Sequence, residues 1–268
     1  MKTLKIALMS AVAALSLSAC KSEPKILVLY YSQTGTTKAV AEEFASRLGA
    51  DIAAFDVTIP YDGDFNATVA RAGKERAEGF IPALKEPDCD LTKYETIFLG
   101  YPIWYGTYAP PVASLLEAYD FSGKTIVPFC SLGSGGLEDS MKDLKAKLPK
   151  AYIRDGYGVR TARVASVPKE VERFLIENGY LKGEIAPLPE YSEQQPVTEV
   201  EAGIFDAACS SYMFPFGTPT AFSKRSIPDG TDYKFIVNSV SPDGEAATSV
   251  IYVIAPESGN PEFTRVVR

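Results

Sequence analysis

Histidine is absent from all 268 residues. No His-based catalytic triad, HExxH zinc site or imidazole acid–base relay can therefore operate here. Cysteine is scarce, with four in the chain. None is in CxxC spacing, which speaks against a zinc ribbon and a dithiol redox centre. A GxSxG nucleophile elbow is missing too, so serine hydrolase chemistry has little support. Basic charge is also in short supply, with 27 Lys and Arg against 34 Asp and Glu and a formal charge of -7. That balance, with no basic patch interleaved with aromatics, argues against a general nucleic-acid binder.

What is present suits a folded chain. At 46% hydrophobic and 23% charged it can build one good core and a smaller unit beside it. The first residues read as a leader. Lys2 and Lys5 precede a mostly apolar stretch, Ile6 to Leu17, that is short for a membrane span. It ends in Leu17-Ser18-Ala19-Cys20, which resembles the bacterial lipobox, where the cysteine carries lipid and becomes the new N-terminus. An ordinary secretory peptide ending near a cysteine is the alternative. The expectation is a signal peptide over 1–19, lipidation at Cys20, a tether over 20–24 and a place in the cell envelope, outside the cytoplasm. Cys89, Cys130 and Cys209 then remain, an odd number that permits at most one internal disulfide.

The chain is organised around Lys25 to Leu48. An apolar run, Ile26 to Tyr31, stops at Ser32-Gln33-Thr34-Gly35-Thr36-Thr37. A helical pattern follows, with Val40, Ala41, Phe44, Ala45 and Leu48 on one face. A buried strand feeding a hydroxyl-rich loop and a helix N-terminus is the arrangement a phosphate needs, because free N–H groups and the positive helix end face the anion. There is neither a GxxxxGK[ST] run nor a GxGxxG fingerprint.

Two further loops follow predicted strands. After Glu95 to Gly100 comes Tyr101-Pro102-Ile103-Trp104-Tyr105-Gly106-Thr107-Tyr108, which holds the chain's single tryptophan. Aromatic faces at such a place suit a flat heteroaromatic ligand, although they can also cap a sheet. After Thr125 to Cys130 comes Ser131-Leu132-Gly133-Ser134-Gly135-Gly136, whose glycines allow close backbone approach. Helices are predicted over 66–78, 110–119, 137–148 and 169–177, with a last strand within 151–164. The order is βα repeated five times over residues 25 to about 180, a parallel sheet with helices on both faces. All three loops then fall on its carboxyl edge, where ligands of such sheets bind.

The segments YYSQTGTTKAVAE, FLGYPIWYGTYAPPVASLLE and GKTIVPFCSLGSGG, in this order, resemble a flavodoxin-family domain. The resemblance covers 25–182 and implies an α/β fold, a doubly wound five-stranded parallel sheet of order 2-1-3-4-5. It implies FMN as cofactor. Ser32, Gln33, Thr34, Thr36 and Thr37 would hold the phosphate with Gly35 shaping the turn. Pro102, Ile103, Trp104, Tyr105 and Gly106 would flank the ring, and Ser131, Gly133 and Gly136 would lie along its pyrimidine side. Family members pass electrons to a redox partner protein or a small-molecule acceptor, and related ones reduce quinones from NAD(P)H. A flavin-free binding or structural lipoprotein that keeps the fold is the competing reading.

Residues 183–200, rich in proline, read as a linker, and 201–268 as a small β-rich region with little core of its own. Strands are expected over 233–240, 246–254 and 262–267, with turns at Ser241-Pro242-Asp243-Gly244 and Gly259-Asn260-Pro261. Phe205, Tyr212, Phe214 and Phe216 are expected to be packing surface. Asp206 to Ser211 shows no catalytic arrangement.

Overall fold

The computed structural model describes residues 25–61, 64–210, 212, 215–240 and 244–267. The leader, Cys20, the 20–24 tether, Phe214 and most of the Ser241–Gly244 turn lie outside the described residues.

Strand β1 (Ile26–Tyr30) has its three central residues fully buried. Helix α1 (Thr36–Leu48) follows and buries Val40, Ala41, Phe44 and Ala45, the face its periodicity set apart. Strand β2 (Asp51–Ala54) lies parallel to β1. A short antiparallel ribbon, β3 (Asp56–Val57) with β4 (Leu84–Lys85), brackets α2 (Phe65–Glu78). The Asp64 carboxylate caps α2, accepting from the Ala67 N–H at 2.8 Å. Then come β5 (Thr96–Trp104), β6 (Thr107–Tyr108), α3 (Pro110–Ala118), β7 (Thr125–Leu132) and α4 (Leu137–Lys147). Strands β8 (Tyr152–Ile153) and β9 (Tyr157–Arg160) precede α5 (Val167–Glu177).

The parallel sheet runs β2-β1-β5-β7-β8, the expected 2-1-3-4-5 order, with β9 also parallel to β7. Alternate residues serve opposite faces. Leu27, Leu29, Ile97, Leu99, Ile126 and Cys130 pack with α3 residues Val112 and Leu115. Val28, Phe98, Val127 and Phe129 pack with Phe44 of α1 and Val171 and Leu175 of α5. Gly100 is needed in mid-sheet, because a Cβ there would sit 2.1 Å from the Phe129 ring that meets Phe44 at 5.0 Å.

Two elements differ from expectation. The fifth strand is split, since β8 and β9 each pair with β7 around Arg154, Asp155 and Gly156. At Gly156 a Cβ would meet Met141 Sδ at 2.9 Å, so the break brings this backbone tight against α4. Residues 101–104 are not loop but a continuation of β5, which turns back on β6 as a hairpin.

Beyond these elements β10 (Gln195–Pro196), α6 (Glu199–Cys209), β11 (Thr218–Ile227), β12 (Gly230–Val240), β13 (Ala246–Pro256) and β14 (Glu262–Val267) form an antiparallel sheet in chain order with one helix. This region does have a core. Phe205 and Ala208 of α6 cover Phe222, Tyr233, Phe235, Val237, Ile251, Val253 and Phe263. Tyr212 and Phe216 stack at 4.6 Å and both rings touch Phe263, so the aromatics serve packing. Among the described residues no helix is long and apolar enough to cross a membrane.

Candidate functional site

The strand order reverses between β1 and β5, and the three loops gather at the carboxyl ends of β1, β5 and β7. Loop one, residues 32–35, leads into α1 through Gly35 at φ 90. Nothing lies within 4 Å of where its Cβ would be, so it is the backbone conformation that calls for glycine. Gly35, the N-cap of α1, has no side chain with which to cap it. The Lys38 N–H donates to Ser32 Oγ at 3.2 Å and the Ala39 N–H to Gly35 O at 3.0 Å. Thr34 and Gly35 are exposed. With the Lys38 N–H alone in its first turn bound by a side chain, this helix start, with the Thr34 and Thr36 hydroxyls beside it, is chemically fit for an anion.

The loop residues do not all face one way. Gln33 donates through Nε2 to Tyr61 O at 3.0 Å and to Thr68 Oγ1 at 2.6 Å, which ties loop one to α2. Thr37 is buried, and its hydroxyl pairs with Ser131 Oγ at 2.8 Å, joining loop one to the end of β7. In this structure both tie elements of the scaffold together.

Loop two is the hairpin Ile103–Tyr108. Trp104 pairs with Thr107, so Tyr105 and Gly106 make a two-residue turn, at φ 52 and φ 81. Two positive φ values in succession mark the turn that matches strand twist. Tyr105 is the sole non-glycine at positive φ among the described residues. Its exposed side chain reaches α2, where the hydroxyl donates to Val69 O at 2.7 Å. Gly73 makes the room, since a Cβ there would lie 2.5 Å from the Tyr105 oxygen. Trp104 meets Tyr31 edge-on at 6.0 Å and Tyr61 at 5.1 Å, directly behind loop one.

Loop three, residues 133–136, adjoins loop two. A Cβ on Gly136, at φ 106, would fall 2.6 Å from Ile103 and 3.0 Å from Gly106 O. Gly133 faces open space. A cleft of about 330 Å³ lies here between Ile103, Tyr105, Gly106 and the 133–136 backbone. Another, of about 420 Å³, opens beside Ser32, Gln33, Gly35 and Lys38.

Groups the sequence did not single out complete the edge. Tyr31 and Tyr61 support Trp104, and Tyr61 donates to the buried Glu75 carboxylate, itself paired with Arg71 at 2.8 Å. Arg71 also stacks on the Tyr61 ring at 3.9 Å. Burial raises the Tyr31 phenol, helped by Asp56, and burial followed by the Glu75 hydrogen bond raises that of Tyr61. Both phenols therefore stay neutral. The Tyr30-Tyr31 doublet before loop one was the available signal for Tyr31. Val266 and Val267, which line the smaller cleft, carried none, being 130 residues away in sequence from loop three.

The comparisons fit this geometry. A protein described as a flavoprotein from Bacteroides eggerthii shares 29% identity over 57% of this chain and 96% of its own, with a TM-score of 0.51. One so described from Bacteroides uniformis shares 27% over 56% and 98%, with a TM-score of 0.50. A flavoprotein from Lactobacillus acidophilus, solved in complex with FMN, shares 21% over 56% and 97%, with a TM-score of 0.48. No curated protein matches the chain. The flavodoxin family model matches residues 25–172, more than half of the chain, and the protein belongs to that family.

Proposed function

We propose that this protein binds FMN and works as a redox protein, exchanging electrons with a partner protein or reducing a quinone-like acceptor from NAD(P)H. The reading is carried by the convergence of three loops on one sheet edge, through the Thr37–Ser131 hydrogen bond, the Trp104–Tyr31 contact and the packing of Gly136 on the hairpin. FMN, when bound, supplies the electron-accepting ring, and the protein supplies binding and orientation. The residues present fit it. The start of α1, with Ser32, Thr34 and Thr36, offers donors to a phosphate. Tyr105 lines the cleft and offers aromatic surface to a ring, with the half-buried Trp104 next to it in the hairpin, and the 133–136 backbone offers polar groups there. The neutral Tyr31 and Tyr61 hold Trp104 in place without adding negative charge behind it.

The leader supports a further part of the reading, a lipid on Cys20 that anchors the domain to a bacterial membrane outside the cytoplasm. Flavin must then be loaded before export or supplied on that side.

Titration with FMN and with riboflavin, read by quenching of Trp104, tests the site. Micromolar FMN binding is expected, and Thr34→Ala should weaken FMN about tenfold while leaving riboflavin within a factor of two, about the effect of one charge-assisted hydrogen bond. Equal loss of both ligands would refute the phosphate assignment. A wild-type protein that binds neither is the flavin-free lipoprotein instead. Turnover of NADH or NADPH with quinones then separates reductase from carrier.

A further inference from the structure

The C-terminal sheet touches the candidate site at its edge. The Val266 N–H of β14 donates to Ser134 O at 2.8 Å, and the Val266 carbonyl lies where a Cβ on Gly135 would be, 2.6 Å away. Arg160, buried at the end of β9, spans the same junction. Its Nε donates to Gly133 O at 2.7 Å, its Nη1 to Phe263 O at 2.7 Å, and its guanidinium stacks on the Phe263 ring at 4.2 Å. One rigid, planar fork thus holds a carbonyl of loop three and a carbonyl of β14 together, which a lysine could not do. Arg163, also buried, pairs with Glu262 at 3.0 Å and with Glu170 at 2.7 Å. Arg265 reaches Glu138 in the first turn of α4 at 3.1 Å. Val266 and Val267 then complete the 330 Å³ cleft beside Tyr105 and Gly106.

We propose that the C-terminal sheet is a fixed wall of the cofactor site, with β14 and Arg160 clamping the Gly133–Gly136 loop in the shape that receives the ring. Glycine-rich backbone has the most conformational freedom to lose, so a loop with three glycines in four residues gains most from an outside restraint. Two hydrogen bonds to its carbonyls, one of them from a charged donor, supply that restraint before any ligand arrives. Arg160 is a positioning residue here, and it acts on the ring side of the site rather than the phosphate side. The inference rests on the reading of the site as a flavin site.

The test uses the full chain. Gly135→Ala places a methyl 2.6 Å from the Val266 carbonyl and 3.3 Å from Val266 Cγ1, and so wedges strand from loop at the edge of the C-terminal core. Arg160→Lys keeps the charge and removes the fork. Amide exchange at 131–137 and 262–267 and the affinities for FMN and riboflavin are measured for both variants. The expected result is faster exchange in both segments together, with FMN and riboflavin weakened by the same factor, about tenfold. This differs from Thr34→Ala, which moves FMN alone. Exchange that quickens in one segment only, or coupled exchange with flavin affinities unchanged, overturns the clamp while leaving the functional reading intact. Failure of the unaltered protein to bind either flavin removes the functional reading itself, and the wall's flavin role with it.

Discussion

At the scale of single residues, the site is held together by hydrogen bonds between its own side chains. Thr37 and Ser131 look like ligand hydroxyls in sequence, yet they bond each other beneath the loops. Thr37→Val removes the hydroxyl and keeps the shape, leaving Ser131 without its partner. A cost of about 1–3 kcal/mol in urea unfolding is expected, with flavin affinity lowered for FMN and riboflavin alike. Arg71→Ala exposes a different dependence. It strips the buried Glu75 of its ion pair and Tyr61 of its stacked cation, so a loss of about 2 kcal/mol and a shift in Trp104 emission are expected, because Tyr61 packs on that indole. An unchanged emission spectrum would show that Tyr61 does not move.

At the scale of elements, the hairpin Ile103–Tyr108 combines strain with function. Tyr105 sits at φ 52, a conformation that costs an L-residue about 1–2 kcal/mol. Its hydrogen bond to Val69 O returns about 1 kcal/mol. Tyr105→Asn should therefore change stability by less than about 1 kcal/mol, since asparagine tolerates this backbone. Flavin affinity should fall several-fold with the loss of the ring, and a parallel fall in stability would sink the argument. Gly73→Ala gives the complementary result. Alanine favours the α2 interior by about 1 kcal/mol, but its methyl displaces the Tyr105 hydroxyl, so better helix stability should accompany weaker flavin binding. The hairpin was read as loop because its aromatics do not alternate with polar residues. Its Tyr-Gly centre is not one of the Asn-Gly or Asp-Gly pairs that mark such a turn in sequence.

Across the whole molecule, each sheet packs its own core and each core keeps a thiol. Cys130 is fully buried in the first, and Cys209 packs against the second. Burial raises both, Cys209 up to about 12. A raised folded-state value means that the folded chain holds its proton where the unfolded chain, with thiols near about 8.5, has released it. Stability from these groups is therefore full below about pH 8.5 and declines as pH rises toward the folded values. Unfolding midpoints in urea should hold steady from pH 7 to 8 and fall between pH 9 and 10.5. Cys130→Ala with Cys209→Ala should flatten that decline while lowering the midpoint at pH 7 through lost packing. A slope that survives both replacements would assign the alkaline loss to Cys89, which burial also raises, or to the buried tyrosines.

The sequence by itself determined the βα alternation of a parallel sheet and the identity of the three loops, because each rests on local signals, whereas the strand order came only with the resemblance to the family. Apolar runs such as Ile26 to Tyr31, the 3.6-residue face of α1 and glycines at strand ends need no distant partner to be legible. It did not determine β11, whose ten residues bury fully only Phe222 and become a strand through pairing with β12, nor the helix α6 that closes over them. It could not show that Gln33 bonds Tyr61 and Thr68 and that Thr37 bonds Ser131, since a side chain's partner depends on which element the fold brings alongside. Above all, only the tertiary structure decided that β14 stands against the Gly133–Gly136 loop. That contact joins backbone to backbone across 132 residues, from Ser134 to Val266, and a main-chain hydrogen bond leaves no mark in the choice of side chain.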